Sequence, residues 1–279
     1  MKIKKTTPII LIVFLFSCKL SNIYTESQNN NNNNKDVNTL IQRITNTYGG
    51  LQNWKDVKTV SVILTDNWPS FHWRLLANPW REETTSFKFD WKPNSNNSRI
   101  EILTGKNKSK KYGIQNWSTY SVKDSVIVLK KHKKIKFHLP TMEYFFEFPF
   151  RIQEANKLKY GGSKEVNGIL YKTILMSWNT FEPQKKVDQY LIYINPKTFL
   201  IDYLEFTVRD QGKFTYATVH FEDFKKVKAF TFPHKITAYF QNKVPGKTIG
   251  HQITVDTLLL NKQFPNNYFI PDSSARGNK

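Results

Sequence analysis

A single cysteine, Cys18, stands in 279 residues. No internal disulfide can form, so an apolar core must hold the fold. Long apolar runs are missing as well: Pro8 to Phe16 is nine residues, and a helix that crosses a membrane needs about 20. Acid is scarce, 22 Asp and Glu against 42 Lys and Arg, for a formal charge of +20. Such a surplus suits anionic surfaces, phosphates or lipid head groups. The joint abundance of Lys, Asn, Ile, Phe and Tyr offers a plainer origin in AT-rich coding. Catalytic motifs are lacking too. Gly161-Gly162-Ser163 does not close a G-x-S-x-G elbow. The six histidines, His72, His132, His138, His220, His234 and His251, show no H-E-x-x-H spacing. No glycine loop is built to cradle phosphate. The chain therefore reads as non-enzymatic, with no metal and no cofactor. A dyad assembled across strands, such as Asp188 with His220, is the enzymatic alternative left open.

What is present begins with address signals. Lys2, Lys4 and Lys5 precede the apolar run, and Leu15-Phe16-Ser17-Cys18 follows its core, the parts of a secretory signal peptide. A cysteine just after the cut resembles the lipobox of bacterial lipoproteins. That resemblance implies acylation of Cys18 and removal of residues 1–17. An ordinary signal peptide with an incidental cysteine is the alternative. Residues 18–35, with six asparagines from Asn29 to Asn34, read as a tether spanning roughly 20–25 Å. Lys19 after the cysteine favours the outer membrane, with its periplasmic face the default, and export argues against nucleic acid as a partner.

The folded part is expected over 36–272, with a disordered tail at 273–279. Asp36 followed by Val37, Leu40, Ile41, Ile44 and Tyr48, then Gly49-Gly50, spells an amphipathic helix and its stop. The period then changes to two. Strand-like runs cover approximately 57–65, 71–77, 83–91, 99–104, 111–122, 125–136, 168–178, 187–194, 199–208, 213–223, 230–240 and 249–260. Short links between them favour antiparallel neighbours. Between Pro140 and Ala155 the alternation fails, and the prolines predict a short helix, a kink at Pro149 and a second turn. The fold class is mainly β with few helices (α+β): a curved antiparallel sheet with an N-terminal helix and a helical lid.

Order carries more than any single motif. Tyr190-Leu-Ile-Tyr-Ile-Asn-Pro-Lys-Thr198, Leu204-Glu205-Phe206, His220-Phe-Glu-Asp-Phe-Lys225, Phe232-Pro-His-Lys-Ile236 and Phe264 to Tyr268-Phe-Ile-Pro271 follow one another. Together they resemble the outer-membrane lipoprotein carrier and sorting proteins, the LolA/LolB-like superfamily. Tyr48-Gly49-Gly50-Leu51-Gln52-Asn53-Trp54 is similar to the helix-to-strand entry of uncharacterised lipoprotein relatives. The resemblance implies a half-barrel whose concave face, covered by helices, holds acyl chains or the lipid part of a lipoprotein.

Residues expected to face such a cavity are Val60, Val62, Leu64, Phe87, Phe89, Trp91, Trp117, Met176, Trp178, Tyr190, Ile192 and Ile194. Met142, Tyr144, Phe145, Phe146, Phe148, Phe150 and Ile152 form the lid. The lid is rich in phenylalanine and shows no evident charged latch, which leaves open a second reading, a structural or interaction lipoprotein whose cavity is self-filled. Finally, Lys106, Lys108, Lys110 and Lys111, with Lys130, Lys131, Lys133, Lys134 and Lys136, make two acid-free runs. A hairpin with arms 111–122 and 125–130 is expected to join them into a basic patch for anionic lipid head groups or an acidic protein.

Overall fold

The computed structural model describes residues 20–24, 34–123 and 126–269. Cys18, the leader 1–17, most of the asparagine run and the tail 273–279 lie outside the described residues. Helix α1 (Asn34–Thr47) is the expected amphipathic helix, and α2 (Leu51–Lys55) follows the two glycines. Gly49 sits at φ +117°, and a Cβ there would meet the Ala229 carbonyl and the Phe230 ring within 2.7 Å. Only glycine fits this approach of helix to sheet. The Tyr48 hydroxyl fastens the same corner by accepting the Ile201 amide at 3.0 Å.

Among the described residues thirteen antiparallel strands form one sheet. The first six are β1 (Val60–Asn67), β2 (Thr84–Lys92), β3 (Asn97–Ile102), β4 (Lys111–Gln115), β5 (Ser118–Lys123) and β6 (Val126–Leu129). The others are β7 (Lys157–Val166), β8 (Ile169–Ser177), β9 (Tyr190–Ile194), β10 (Ile201–Thr207), β11 (Tyr216–Val227), β12 (Phe230–Phe240) and β13 (Ile249–Leu260). Their order is β6-β5-β4-β3-β2-β1-β13-β12-β11-β10-β9-β8-β7. The chain thus starts mid-sheet, meanders to one edge, crosses to the other and meanders back. The crossing is made by α4 (Lys133–Arg151) and a 3-10 turn, Ile152–Glu154. Laid flat, the sheet would be about 58 Å wide at ~4.8 Å per strand, while the 19 residues of α4 span only ~28 Å. A single helix reaches both halves because the sheet curls around it: Phe146 lies 5.5 Å from Trp91 of β2, and Phe145 is 6.1 Å from Phe221 of β11.

Several expected elements differ. The run 71–77 is a helix, α3 (Phe71–Leu76), started by Ser70, whose side chain accepts the Trp73 amide. The run 111–122 is two strands, β4 and β5, folded at Asn116-Trp117, where both residues take positive φ. The run 125–136 yields the four-residue β6, and α4 takes over from Lys133. That helix runs continuously through Pro140, where a start was expected, and through Pro149, where a kink was. Strand β7 was not anticipated at all.

The antiparallel order sorts the connections between two rims. Links β1–β2 (carrying α3), β3–β4, β8–β9, β10–β11 and β12–β13 share one rim, called here the α3 rim. The links β2–β3, β7–β8, β9–β10 and β11–β12 share the opposite one. The convex face has its own cover. Leu175, Leu191, Tyr193 and Tyr203 point away from α4 and pack with Ile23, Tyr24 and Phe181. Residues 20–24, part of the expected tether, therefore lie against the sheet.

Candidate functional site

The concave face is where the fold concentrates its apolar mass. Alternation along β1 and β2 turns Val60, Val62, Leu64, Phe87, Phe89 and Trp91 inward, and along β8 and β9 it turns Met176, Ile192 and Ile194 inward; all are fully buried in one cluster. Trp178 and Tyr190 pack at its border, half-buried. Trp117 does not belong: in the β4–β5 turn it is 53% exposed, because the strand that was to carry it inward reverses there.

From α4 the lid residues Met142, Phe145, Phe146, Phe148, Phe150 and, just beyond, Ile152 enter the same cluster, with Tyr144 at its border. Phe145 meets Phe206 at 6.0 Å, Phe148 meets Tyr190 at 6.1 Å, and Phe150 stacks on Trp54 of α2 at 4.5 Å. These aromatic contacts add specificity to area burial. Two hollows, of about 250 and 600 Å³, open to solvent, one beside Phe264 and Phe269 and the other between α1, Gln153 and Leu158 of β7, at the edge of the concave cluster. Neither lies between α4 and the sheet.

Sequence reading found no charged latch on this helix, yet α4 carries three ionisable groups into the interface. Glu147 accepts the Trp91 indole N–H at 2.9 Å, and an Arg151 guanidinium nitrogen lies 3.7 Å away. Burial pushes the Glu147 carboxyl up to about 7. Glu143, one turn earlier and 1% exposed, has neither oxygen in hydrogen-bonding geometry with a partner among the described residues, and the nearby Asn96 amide and Arg151 charge do not outweigh its burial. Burial, reinforced by the neighbouring Glu147 charge, raises its pKa to about 9. Glu143 is thus carried as the neutral acid at pH 7.

The third group is His138, whose Nε2 lies 3.6 Å from Asp66 Oδ2. Asp66, on β1 and wholly buried, accepts the Trp68 indole N–H at 2.8 Å and faces His251 Nδ1 of β13 at 2.8 Å. Burial alone would raise the Asp66 carboxyl; the His251 charge, the nearby His138 and the hydrogen bond from His251 outweigh it and hold it well below the usual carboxylate range. His138 is pushed down by its own burial. The arrangement resembles an orienting carboxylate with its histidines, but the third partner is an indole. Among the described residues no group of three His, Cys, Asp or Glu side chains is placed to hold a metal ion. The dyad suggested from sequence is not assembled: Asp188 accepts from Thr207 and the Arg209 amide, whereas His220 stacks on Tyr203 at 4.1 Å beside Glu222.

The expected hairpin does not join the lysine runs, although the 78–82 loop touches both, Glu82 at the Lys106 amide and the Asn78 carbonyl at Lys134. Lys111 pairs opposite Val122 while the Lys130 amide bonds Thr119, so the runs depart from opposite ends of β5. Lys111 lies 3.5 Å from Glu101, Lys110 bonds Asn107, and Lys134, on α4, donates to the Leu75 and Asn78 carbonyls. Lys133 and Lys136 are on α4 too. Lys106, whose amide bonds Glu82, and Lys108 sit in the β3–β4 loop, and Lys130 and Lys131 precede the helix.

No family model matches the sequence, and no curated protein does. Its backbone is similar to that of a domain described as an outer membrane lipoprotein-sorting protein from Vibrio parahaemolyticus, at 8% identity, covering 85% of this chain and 97% of that one with a TM-score of 0.53. A DUF1329 family protein from Desulfovibrio piger is similar at 10% identity over 86% and 98% of the two chains, TM-score 0.53. A LolA superfamily protein from Nitrosomonas europaea gives 11%, 84%, 96% and 0.49 for the same measures. The fold of this chain is that of the lipoprotein-sorting domain from Vibrio parahaemolyticus and of the DUF1329 protein, in keeping with the half-barrel that its motifs from Tyr190 to Asp272 imply.

Proposed function

We propose that the protein is a non-enzymatic lipoprotein of the cell envelope that takes a hydrophobic ligand into the concave face of its half-barrel. The ligand is an acyl chain, a lipid or the acyl groups of another lipoprotein, and it occupies space that α4 now fills. Acylated Cys18 anchors the chain in the outer membrane, with the body facing the periplasm.

One observation carries this reading: the make-up of α4. A permanent core helix gains nothing from two buried carboxyls at an aromatic interface, since well-packed apolar residues there are neutral or stabilising by comparison. Glu143 without a hydrogen-bond partner and Glu147 near its titration point weaken the docking of a helix whose phenylalanines otherwise fill the groove. That combination suits a filler that leaves when a better apolar occupant arrives. The second reading, a self-filled scaffold acting through its outer surface on an acidic or anionic partner, is favoured by the close packing of Phe145, Phe146, Phe148 and Phe150.

The chain from residue 18 with Cys18→Ser separates the two. Native mass spectrometry after detergent-free purification from cells is expected to show a fraction carrying the added mass of a fatty acid or phospholipid. A fluorescent fatty acid should displace it. A chain that is always empty and binds no fluorescent fatty acid contradicts the ligand and leaves the scaffold.

A further inference from the structure

Residues 20–24 do more than cover a face. The Ser21 amide donates to the Lys213 carbonyl at 3.0 Å, and the Arg209 guanidinium donates to Ser21 Oγ at 2.8 Å and to its carbonyl at 2.6 Å. Gln189 accepts the Ile23 amide at 3.0 Å and donates to Asn22 at 2.9 Å. Arg209, Lys213 and Gln189 all belong to links of the α3 rim. Cys18 is three residues before Ser21, at most ~10 Å of extended chain. An acyl group on that thiol, as in the function proposed above, would be held within that reach of the α3 rim, far closer than a free tether would allow.

The rim itself has the matching chemistry. Phe71 is 71% exposed, Leu75 and Leu76 are 54% and 55%, and Phe214, next to Lys213, is 52%. The Trp73 ring packs at 4.9 Å on Phe240, the last residue of β12, which holds α3 with Phe71 and Leu75 outward. The links 178–189, 208–215 and 241–248 hold six basic residues and three acids. Apolar side chains at a cationic edge are what a protein needs to sit at the boundary of head groups and acyl chains.

We propose that the α3 rim is the membrane-facing surface of the protein, resting on anionic phospholipid with Phe71, Leu75, Leu76 and Phe214 at the acyl boundary and Lys213, Lys243 and Lys247 over the phosphates. This deepens the anchoring half of the function proposed above, but it needs neither a ligand under α4 nor acylation to be tested. The chain from residue 18 with Cys18→Ser keeps every described residue and is mixed with vesicles of phosphatidylglycerol and phosphatidylethanolamine in 0.15 M salt. Screening over ~8 Å confines the attraction to charges near the surface. Sedimentation with the vesicles is expected, and weaker sedimentation with phosphatidylcholine alone. Lys213→Glu with Lys243→Glu and Lys247→Glu should lower the partition constant more than tenfold, given about fivefold per lysine. Phe71→Ser with Phe214→Ser should lower it at least fivefold with an unchanged thermal transition. The same charge reversals at Lys197, Lys225 and Lys226 on the opposite rim should change it less than twofold. Failure to sediment with the anionic vesicles, or an equal loss from the opposite-rim variant, overturns the assignment. An empty concave face by mass spectrometry leaves it standing.

Discussion

Glu143→Gln is expected to make the protein more stable at pH 7 by about 2 kcal/mol and to flatten its stability between pH 5 and 9. The folded-state pKa of Glu143 is raised to about 9 from an ordinary 4.5, by burial first and by the Glu147 charge second. Below pH 4.5 folded and unfolded chains both hold the proton, so nothing is lost. As pH rises toward 9 only the unfolded chain ionises freely, and the folded state loses about 1.4 kcal/mol per pH unit, on the order of 3 kcal/mol by pH 7. Glutamine keeps the shape and removes the titration; its own unpartnered amide costs part of the gain. Urea unfolding at pH 5, 7 and 8.5 measures both slopes. Equal slopes in the two chains would mean that Glu143 is solvated or paired, contrary to its environment here.

Asp66→Ala should act in the opposite direction, with a loss of about 3–5 kcal/mol, because it strands the Trp68 and His251 donors in a buried site. Its pH dependence is also inverted. Asp66 has a depressed folded-state pKa, so its contribution is complete above the unfolded value near 4 and disappears as pH falls below it. His138, depressed by burial, adds a loss that begins as pH falls below about 6.5. Thermal unfolding of the native chain is therefore expected to weaken in two acid steps, and Asp66→Asn to abolish the lower one. A variant with the full native acid profile would falsify the role given to this carboxylate.

Long alternating strands were legible from sequence because pattern and packing agree there: the expected runs 230–240 and 249–260 have the bounds of β12 and β13. Where local signals compete, tertiary context decided. Phe71-His-Trp-Arg-Leu-Leu76 alternates as well as it spirals, and the Ser70 cap after Pro69 settles it as a helix. Strand β7 was hidden by Gly161-Gly162. A Cβ at Gly161 would meet Thr173 Oγ1 at 2.6 Å, Gly162 has φ +85°, and the register slips between Tyr160 and Gly162. Those glycines are a bulge, not a loop. In α4 the prolines suggested a start at Pro140 and a kink at Pro149, which burial of its aromatic face overrides.

The apolar lining of the site followed from alternation, but its polar part did not. Asp66 and His251 are 185 residues apart in sequence and meet only through the β1–β13 ladder, where Asp66 stands opposite Ile253. Nothing in the sequence marks Glu143 and Glu147, four residues apart, as buried; the curl of the sheet wraps that side of the helix too. The convex cover had a signal that went unused. Leu175 and Met176, like Leu191 and Ile192, form unbroken apolar runs, which implies that both sheet faces are covered there.

Hydrogen exchange along residues 133–151, with and without a saturating long-chain fatty acid, tests most directly whether α4 is a displaceable filler of the concave face. The backbone amides of α4 are expected to exchange faster with the fatty acid present, while those of β12 and β13 stay protected. Amides in α4 as slow as those of β12, and unmoved by the fatty acid, would make the helix permanent core and contradict ligand binding in the groove.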